Sequence, residues 1–207
     1  MARKPLTKPR KNASQGRSRA TVDALVEATA RVLVKEGFDK ASTNRIAETA
    51  GVSIGSLYQY FPGKDALVAA VIDRHTEDLM QVVRDTLAEV IELPLERAVR
   101  RIVSVAVEAH RVDPKLHRVV AEQIPRSGGE NVEVFNRRYF GFFRSFLEAH
   151  EAEIRRIDLD LAAFVCVTSI EAVTHNAVLN HPELLSDEGV EALVEEASRL
   201  VVTYLRA

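Results

Sequence analysis

Residues 43–64 read TNRIAETAGVSIGSLYQYFPGK. Thr43 is a candidate N-cap, and Ile46, Ala47 and Ala50 then share the inward face of one short helix. Gly51 ends it. Val52 and Ser53 open a second short helix whose Leu57 and Phe61, four residues apart, point to a core. Pro62-Gly63 stops that helix. Two short helices crossing at a glycine-containing turn predict a helix-turn-helix. In such a unit the second helix enters the DNA major groove and the first lies across the backbone.

The residue types on the second helix suit that task. Ser53, Ile54, Gly55, Ser56, Tyr58, Gln59 and Tyr60 are expected on its exposed sides. Ser56 and Gln59 can exchange hydrogen bonds with base edges, glutamine suiting adenine. Tyr58 and Tyr60 carry hydroxyls for phosphates. Gly55 costs about 1 kcal/mol relative to alanine inside a helix, so it needs a reason, either close approach to bases or a packing contact. Thr43 can offer its hydroxyl to a phosphate, with Asn44 and Arg45 beside it, although Arg45 also reads as a plain solvated arginine. Lys64 sits where the helix dipole disfavours a cation, and a phosphate there would satisfy both the lysine and the free N–H groups.

Outward from this segment the helical period dominates. Val22, Leu25, Val26, Thr29 and Leu33 mark a buried face over residues 20–36, closed by Gly37. A long helix is expected from about Lys64 to residue 90, then helices from Pro94 to His110, from Asp113-Pro114 to Gln123, over 130–154, 158–180 and 187–205, with a loop over residues 125–129. The fold class predicted is all-α, with about nine helices. A basic disordered tail (1–19) precedes a three-helix DNA-binding head (20–65) and a helical body (66–207).

The net charge of −2 hides an asymmetry, because residues 1–19 carry seven of the 28 basic residues and none of the 30 acidic ones. Such an arm fits DNA backbone or minor groove, or is simply solvated. Apolar runs read as too short and interrupted for a membrane span, and no apolar stretch follows the N-terminal charges, so a cytoplasmic protein is expected. The single cysteine, Cys166, excludes an intrachain disulfide and reads as a buried small hydrophobe.

The run from Ala41 to Leu67, with Ile46-Ala47, Ala50-Gly51-Val52-Ser53, Leu57-Tyr58-Gln59-Tyr60-Phe61 and Lys64-Asp65-Ala66-Leu67 all in register, resembles the signature of the tetracycline-repressor (TetR) family of bacterial regulators. The preceding helix, ending in Glu36-Gly37-Phe38, matches too. The close resemblance covers roughly residues 20–70, and the rest matches in helix count and length. It implies an all-α homodimer that binds operator DNA, usually as a repressor, and is released by a small molecule. The family's DNA-contacting positions fall on Thr43, Asn44, Arg45, Ser53, Ile54, Gly55, Ser56, Tyr58, Gln59, Tyr60 and Lys64. Position 54, often polar or basic in such proteins, is isoleucine here, which suggests contact with a thymine methyl or no base contact.

A sensing body needs a mostly apolar cavity with a few orienting polar groups. Phe135, Tyr139, Phe142 and Phe146 recur on one face of the 130–154 helix, and Gly141 can open space beside them. His75, His110, His117, Gln123, Thr168, Glu171 and His175 are the polar candidates for an inward orientation, with plain core packing as the bland alternative. Glu171 and His175 are one turn apart on an apolar helix. A metal would need one or two further ligands there, from His110 or His117, which sequence does not place in contact, so no metal and no cofactor is expected. Val190, Leu193, Val194, Ala197, Leu200, Val201, Tyr204 and Leu205 form a stripe on the last helix, read as half of a four-helix dimer interface or as internal core. Two heads about 34–36 Å apart would then engage successive major grooves. The chain has no Gly-rich phosphate loop, Cys-x-x-Cys, His-Glu-x-x-His or nucleophile elbow, so an enzyme is not expected. An effector-blind DNA-binding or architectural protein is the rival reading.

Overall fold

The structure is a computed structural model that describes the backbone of residues 16–127 and 130–206, and the side chains of residues 18–121 and 137–206. Among the described residues there are nine α-helices and two short 3-10 turns, and no strand. The expected all-α class is therefore met. The chain divides into two compact units: Met1–Thr76 with Lys115–Gly129, and Glu77–Pro114 with Glu130–Ala207.

The first unit holds α1 (Gly16–Lys40), α2 (Thr43–Ala50), α3 (Ile54–Tyr60), the first half of α4 (Lys64–Val90) and α6 (Pro114–Ser127). Leu25, Leu33, Ile46, Leu57, Phe61 and Leu67 form its buried core, joined by Val120 from α6. Thr29, though polar, lies in that core because its hydroxyl donates to Leu25 O at 2.7 Å. Helix α1 begins at Gly16, four residues before the predicted start, and the rest of the basic tail falls outside the described residues. Gly37 interrupts α1 with φ 77° and ψ 169°, and a further turn continues to Lys40.

Two local features set the helix-turn-helix. Ser42, not Thr43, is the N-cap of α2: its backbone is extended and its Oγ accepts from Arg45 N at 3.3 Å. Thr43 becomes the first helical residue, which leaves its hydroxyl for another use. At the other end Gly51 adopts φ 68°, ψ 28°, and its N–H reaches the Ala47 and Glu48 carbonyls while Val52 N donates to Ala47 O at 3.0 Å. This left-handed closure costs an L side chain about 1–2 kcal/mol. Gly51→Val is expected to lower the stability of the first unit by at least that amount; urea unfolding checks it, and a change under about 0.5 kcal/mol would contradict the role given to this turn. Ser53 caps α3 in the same manner, accepting from Ser56 N at 3.1 Å.

The second unit contains the rest of α4, α5 (Leu95–Val112), α7 (Glu130–Ala149), α8 (Leu159–Asn180) and α9 (Asp187–Arg206). Its core runs through Leu95, Val99, Val103, Phe143, Phe146, Leu147, Ala163, Val167, Ile170, Val194 and Val201. Helix α5 starts after Pro94, which gives no side-chain cap. The Glu153 carboxylate replaces it, accepting Leu95 N–H at 3.2 and 3.1 Å. Glu153 is placed by the 3-10 turn Glu151–Glu153, so α7 ends at Ala149 and not at residue 154. His150 fastens the same corner. It is buried, its ring nitrogens lie 2.9 Å from both Phe146 O and Leu93 O, and the ring stacks 4.3 Å from Phe146.

Three further expectations change. Helix α6 runs through Pro125 to Ser127, beyond Gln123. Helix α8, though interrupted by Asp160 and Glu171, is by length and composition alone long and apolar enough to cross a bilayer; eight of its residues are buried in the second unit. The stripe on α9 is mostly internal: Val190, Val194, Ala197, Val201 and Leu205 are buried in this chain's own core, whereas Leu200 is exposed. Helical periodicity reports a buried face without saying which chain buries it.

Candidate functional site

The outer face of α3 carries small, polar and aromatic groups together. Ser53, Ile54, Gly55, Tyr58 and Gln59 are exposed, and Ser56 is half-buried. The Thr43 and Tyr58 hydroxyls are 3.1 Å apart, which ties the start of α2 to α3 and sets two hydroxyls side by side on one surface. Asn44 is exposed next to them. Arg45 is held by Glu36 at 3.1 Å and Glu48 at 2.9 Å, exposed ion pairs that raise its pKa, chiefly through the bond to Glu48. Ion pairs this exposed are weak in water, so a phosphate or guanine can exchange with them. The Glu48 partner was legible as an i, i+3 pair; Glu36, on α1, was not.

Gly55 has no packing role within the fold. A Cβ there would meet only Ser53 Oγ, at 3.9 Å. Gly55→Ala is therefore expected to raise fold stability by up to about 1 kcal/mol while weakening DNA binding. Thermal melts and titrations on one preparation test the pairing; a stabilised variant with undiminished binding would remove Gly55 from the interface.

Two expected contacts sit differently. Tyr60 is buried, not exposed, and its hydroxyl donates to Ser18 Oγ at 3.2 Å, because position 60 shares the inward face of α3 with Leu57. Lys64 Nζ donates to Phe38 O at 2.8 Å and stands 4.1 Å from the Phe38 ring centroid. The cation at the start of α4 is thus stabilised by a carbonyl and a ring of its own unit, and a phosphate would have to compete with them. Lys64→Ala is expected to cost about 1.5–3 kcal/mol of stability through the lost charged hydrogen bond, read by urea unfolding; an unchanged midpoint would mean that the bond contributes nothing.

Of the interior candidates, His75 and His117 meet in the first unit, with Nε2 and Nδ1 3.3 Å apart and the rings tilted by 52°. The second unit gathers Tyr139, Phe146, Glu171, His175 and His110. Tyr139 and Phe146 are buried, and Phe142 is half-buried at the core's edge. Burial pushes the Glu171 carboxyl up to about 7, and burial followed by the Glu171 charge pushes the Tyr139 phenol upward. Burial also lowers His175. A ring nitrogen of His110 lies within 4.8 Å of one of His175, and His110 Nδ1 is 2.7 Å from Ala106 O. That meeting of α5 with α8 has no signal in residue spacing. Thr168 is exposed, so the expected inward orientation fails for it; it lies next to Val167, which takes the inner face. The Gln123 and Phe135 side chains lie outside the described residues. Cys166 is buried and its thiol is pushed up to about 12, which fits packing and not redox chemistry.

The raised carboxyl has a pH consequence. The folded state keeps the Glu171 proton at pH values where the unfolded chain, ionising near 4.5, has lost it. Its contribution is therefore fully present below about pH 4.5 and lost as pH rises through about 7. In chelator-containing buffer, Glu171→Gln is expected to gain stability relative to the parent between pH 5 and 8, on the order of 2 kcal/mol. A difference independent of pH would contradict the desolvated carboxyl.

Two family models match the chain: "Bacterial regulatory proteins, tetR family" over residues 25–71, and "Tetracyclin repressor-like, C-terminal domain" over residues 94–205. The second alone covers more than half of the chain. The chain belongs to the TetR family. TetR-family proteins are helix-turn-helix DNA-binding transcription regulators, and this chain matches the models of both the N-terminal and the C-terminal part. Among its relatives is the nucleoid occlusion factor SlmA of Haemophilus ducreyi, 28% identical over 116 residues, which are 56% of this chain and 55% of SlmA. The chain thus matches about half of that relative's length. Similar solved structures include the fatty acid degradation regulator FadR from Bacillus halodurans (TM-score 0.73, 19% identity, 88% of this chain and 94% of that one). FadR from Bacillus subtilis in complex with stearoyl-CoA is another (TM-score 0.71, 18% identity, 87% and 97%). At these identities the structures speak for the fold alone.

Proposed function

We propose that this TetR-family regulator is a cytoplasmic homodimeric repressor that binds a palindromic operator and is released by a small, largely hydrophobic effector. The observation that carries the DNA side is the outer face of α3, where Ser53, Ile54, Gly55, Tyr58 and Gln59 are exposed and Tyr58 is paired with Thr43. Gln59 and Ser56 read base edges, Ile54 meets a thymine methyl, and Thr43 with Tyr58 holds a phosphate. Asn44 and Arg45 extend the backbone contact.

The dimer is proposed through α8 and α9. Leu161 and Phe164 on α8 and Leu200 on α9 are each more than half exposed. Large apolar side chains left in water on two neighbouring helices favour a self-complementary contact.

The effector side rests on an aromatic core holding a few desolvated polar groups, Tyr139, Glu171 and His175. The stearoyl-CoA complex of Bacillus subtilis FadR adds a precedent of a long apolar ligand on the same fold. Helix α4 is continuous from Lys64 to Val90, so it leads from the end of α3 into the second unit. An effector weakens DNA binding to the extent that it prefers a conformation with poor head spacing. The rival reading is a DNA-binding or architectural protein without an effector. Phe142→Trp separates the two. The repressor reading expects an altered effector response with operator affinity within about twofold of the parent's; affinity lost in step with stability would indicate core damage only.

A further inference from the structure

We propose a divalent transition-metal site in the second unit, with His110 of α5 and His175 of α8 as nitrogen ligands and Glu171 supplying the compensating negative charge. The expectation from sequence alone was no metal, because nothing in the spacing joins residue 110 to residue 175. The fold does join them. Their ring nitrogens lie within 4.8 Å of one another. A tetrahedral ion about 2.0–2.1 Å from each nitrogen would hold the two roughly 3.4 Å apart. Closing that gap takes about an ångström and a half at most, within reach of small rotations of two half-buried rings.

Three features argue for an ion over a plain pair of core histidines. First, His110 Nδ1 faces the Ala106 carbonyl at 2.7 Å. A carbonyl only accepts, so that nitrogen carries the proton and Nε2 carries the lone pair. This backbone contact fixes tautomer and ring orientation as it does for metal-bound histidines. Second, the Glu171 carboxylate is one turn from His175 on the same face of α8, with no hydrogen bond or ion pair to any described residue. A desolvated carboxyl either keeps a proton or takes a cation, and an ion held beside His175 would supply the second. Third, the neighbouring arginine does not supply it. Arg111 follows His110 directly, but its guanidinium is bonded to Asp187 at 2.7 Å and to Glu108 at 3.4 Å. Two imidazole nitrogens this close together suit zinc and its first-row neighbours. Magnesium and calcium prefer oxygen ligands.

The test uses the full-length, untagged chain, stripped with a chelator and desalted, and titrated with Co2+ as an absorbing stand-in for Zn2+. The expected result is a visible d–d band that saturates at one ion per chain and is displaced by Zn2+. His110→Ala and His175→Asn are each expected to weaken binding by about 100-fold or more, beyond the roughly 10–100-fold lost with an outer-shell partner. Glu171→Gln weakens it less. His181→Ala, which removes an exposed imidazole paired with Glu183, leaves it unchanged. Should either histidine variant misfold, imidazole NMR spectra of the parent protein decide the matter: Zn2+ shifts the His110 and His175 rings. The proposal is overturned by the absence of a saturable band, by equal affinity in the histidine variants, or by shifts confined to other histidines.

Discussion

Phe146→Ala is expected to destabilise the second unit by about 3–5 kcal/mol, the range for truncating a buried phenylalanine. Phe146 is 1% exposed, its ring lies 5.4 Å from that of Phe143, and it carries the His150 ring on its other contact at 4.3 Å. Its backbone carbonyl accepts from the same imidazole at 2.9 Å. Removing the ring leaves a void beside a buried polar group that also faces Leu93 O, so the corner that starts α5 loosens with it. A loss of this size is a large fraction of the 5–15 kcal/mol typical of a domain. The buried residues of the first unit are a separate set, from Leu25 to Val120. Differential scanning calorimetry should show the transition of the second unit falling, with the far-UV spectrum at low temperature retained. A change under about 1 kcal/mol would mean that Phe146 lines open space and not a packed core.

The second large effect is expected at the DNA face. Gln59→Ala should cost about 1–3 kcal/mol on the preferred operator, or roughly 5- to 150-fold in affinity, and relax the sequence preference at one base pair. Gln59 is exposed and makes no hydrogen bond with a described residue, so its removal leaves the fold intact. Tyr58→Phe differs in kind. It removes the hydroxyl 3.1 Å from Thr43 and should weaken specific and non-specific DNA alike, because phosphates carry no sequence information. Competition titrations of both variants against operator and random duplex separate the two roles. Equal losses on both DNAs for Gln59→Ala would move Gln59 from base reading to backbone contact.

The head was legible because its information is local. Gly51 with its left-handed φ, the caps and the Leu57–Phe61 spacing act within a turn or two of chain, and each yields to rules of helix start and stop. Even there, reading Thr43 in place of Ser42 as the cap concealed the Thr43–Tyr58 pair, and assigning Tyr60 outward missed its bond to Ser18, 42 residues away. The body resisted for the opposite reason. Its decisive contacts join distant positions: Glu153 to Leu95, His150 to Leu93, His110 to His175. Periodicity showed that α9 buries a face, but whether Val194 and Val201 meet this chain or a second copy is decided by packing alone.

The central claim, sequence-specific DNA binding by a dimeric regulator, is tested most directly by selecting bound fragments from random-sequence and genomic DNA with the purified chain at several fixed salt concentrations. The prediction is recovery of a two-fold symmetric site with half-sites about one helical turn apart, bound more tightly than random duplex by about 1,000-fold or more. Recovery of fragments without a common sequence, held only at low salt, or of no fragments at all, would contradict it.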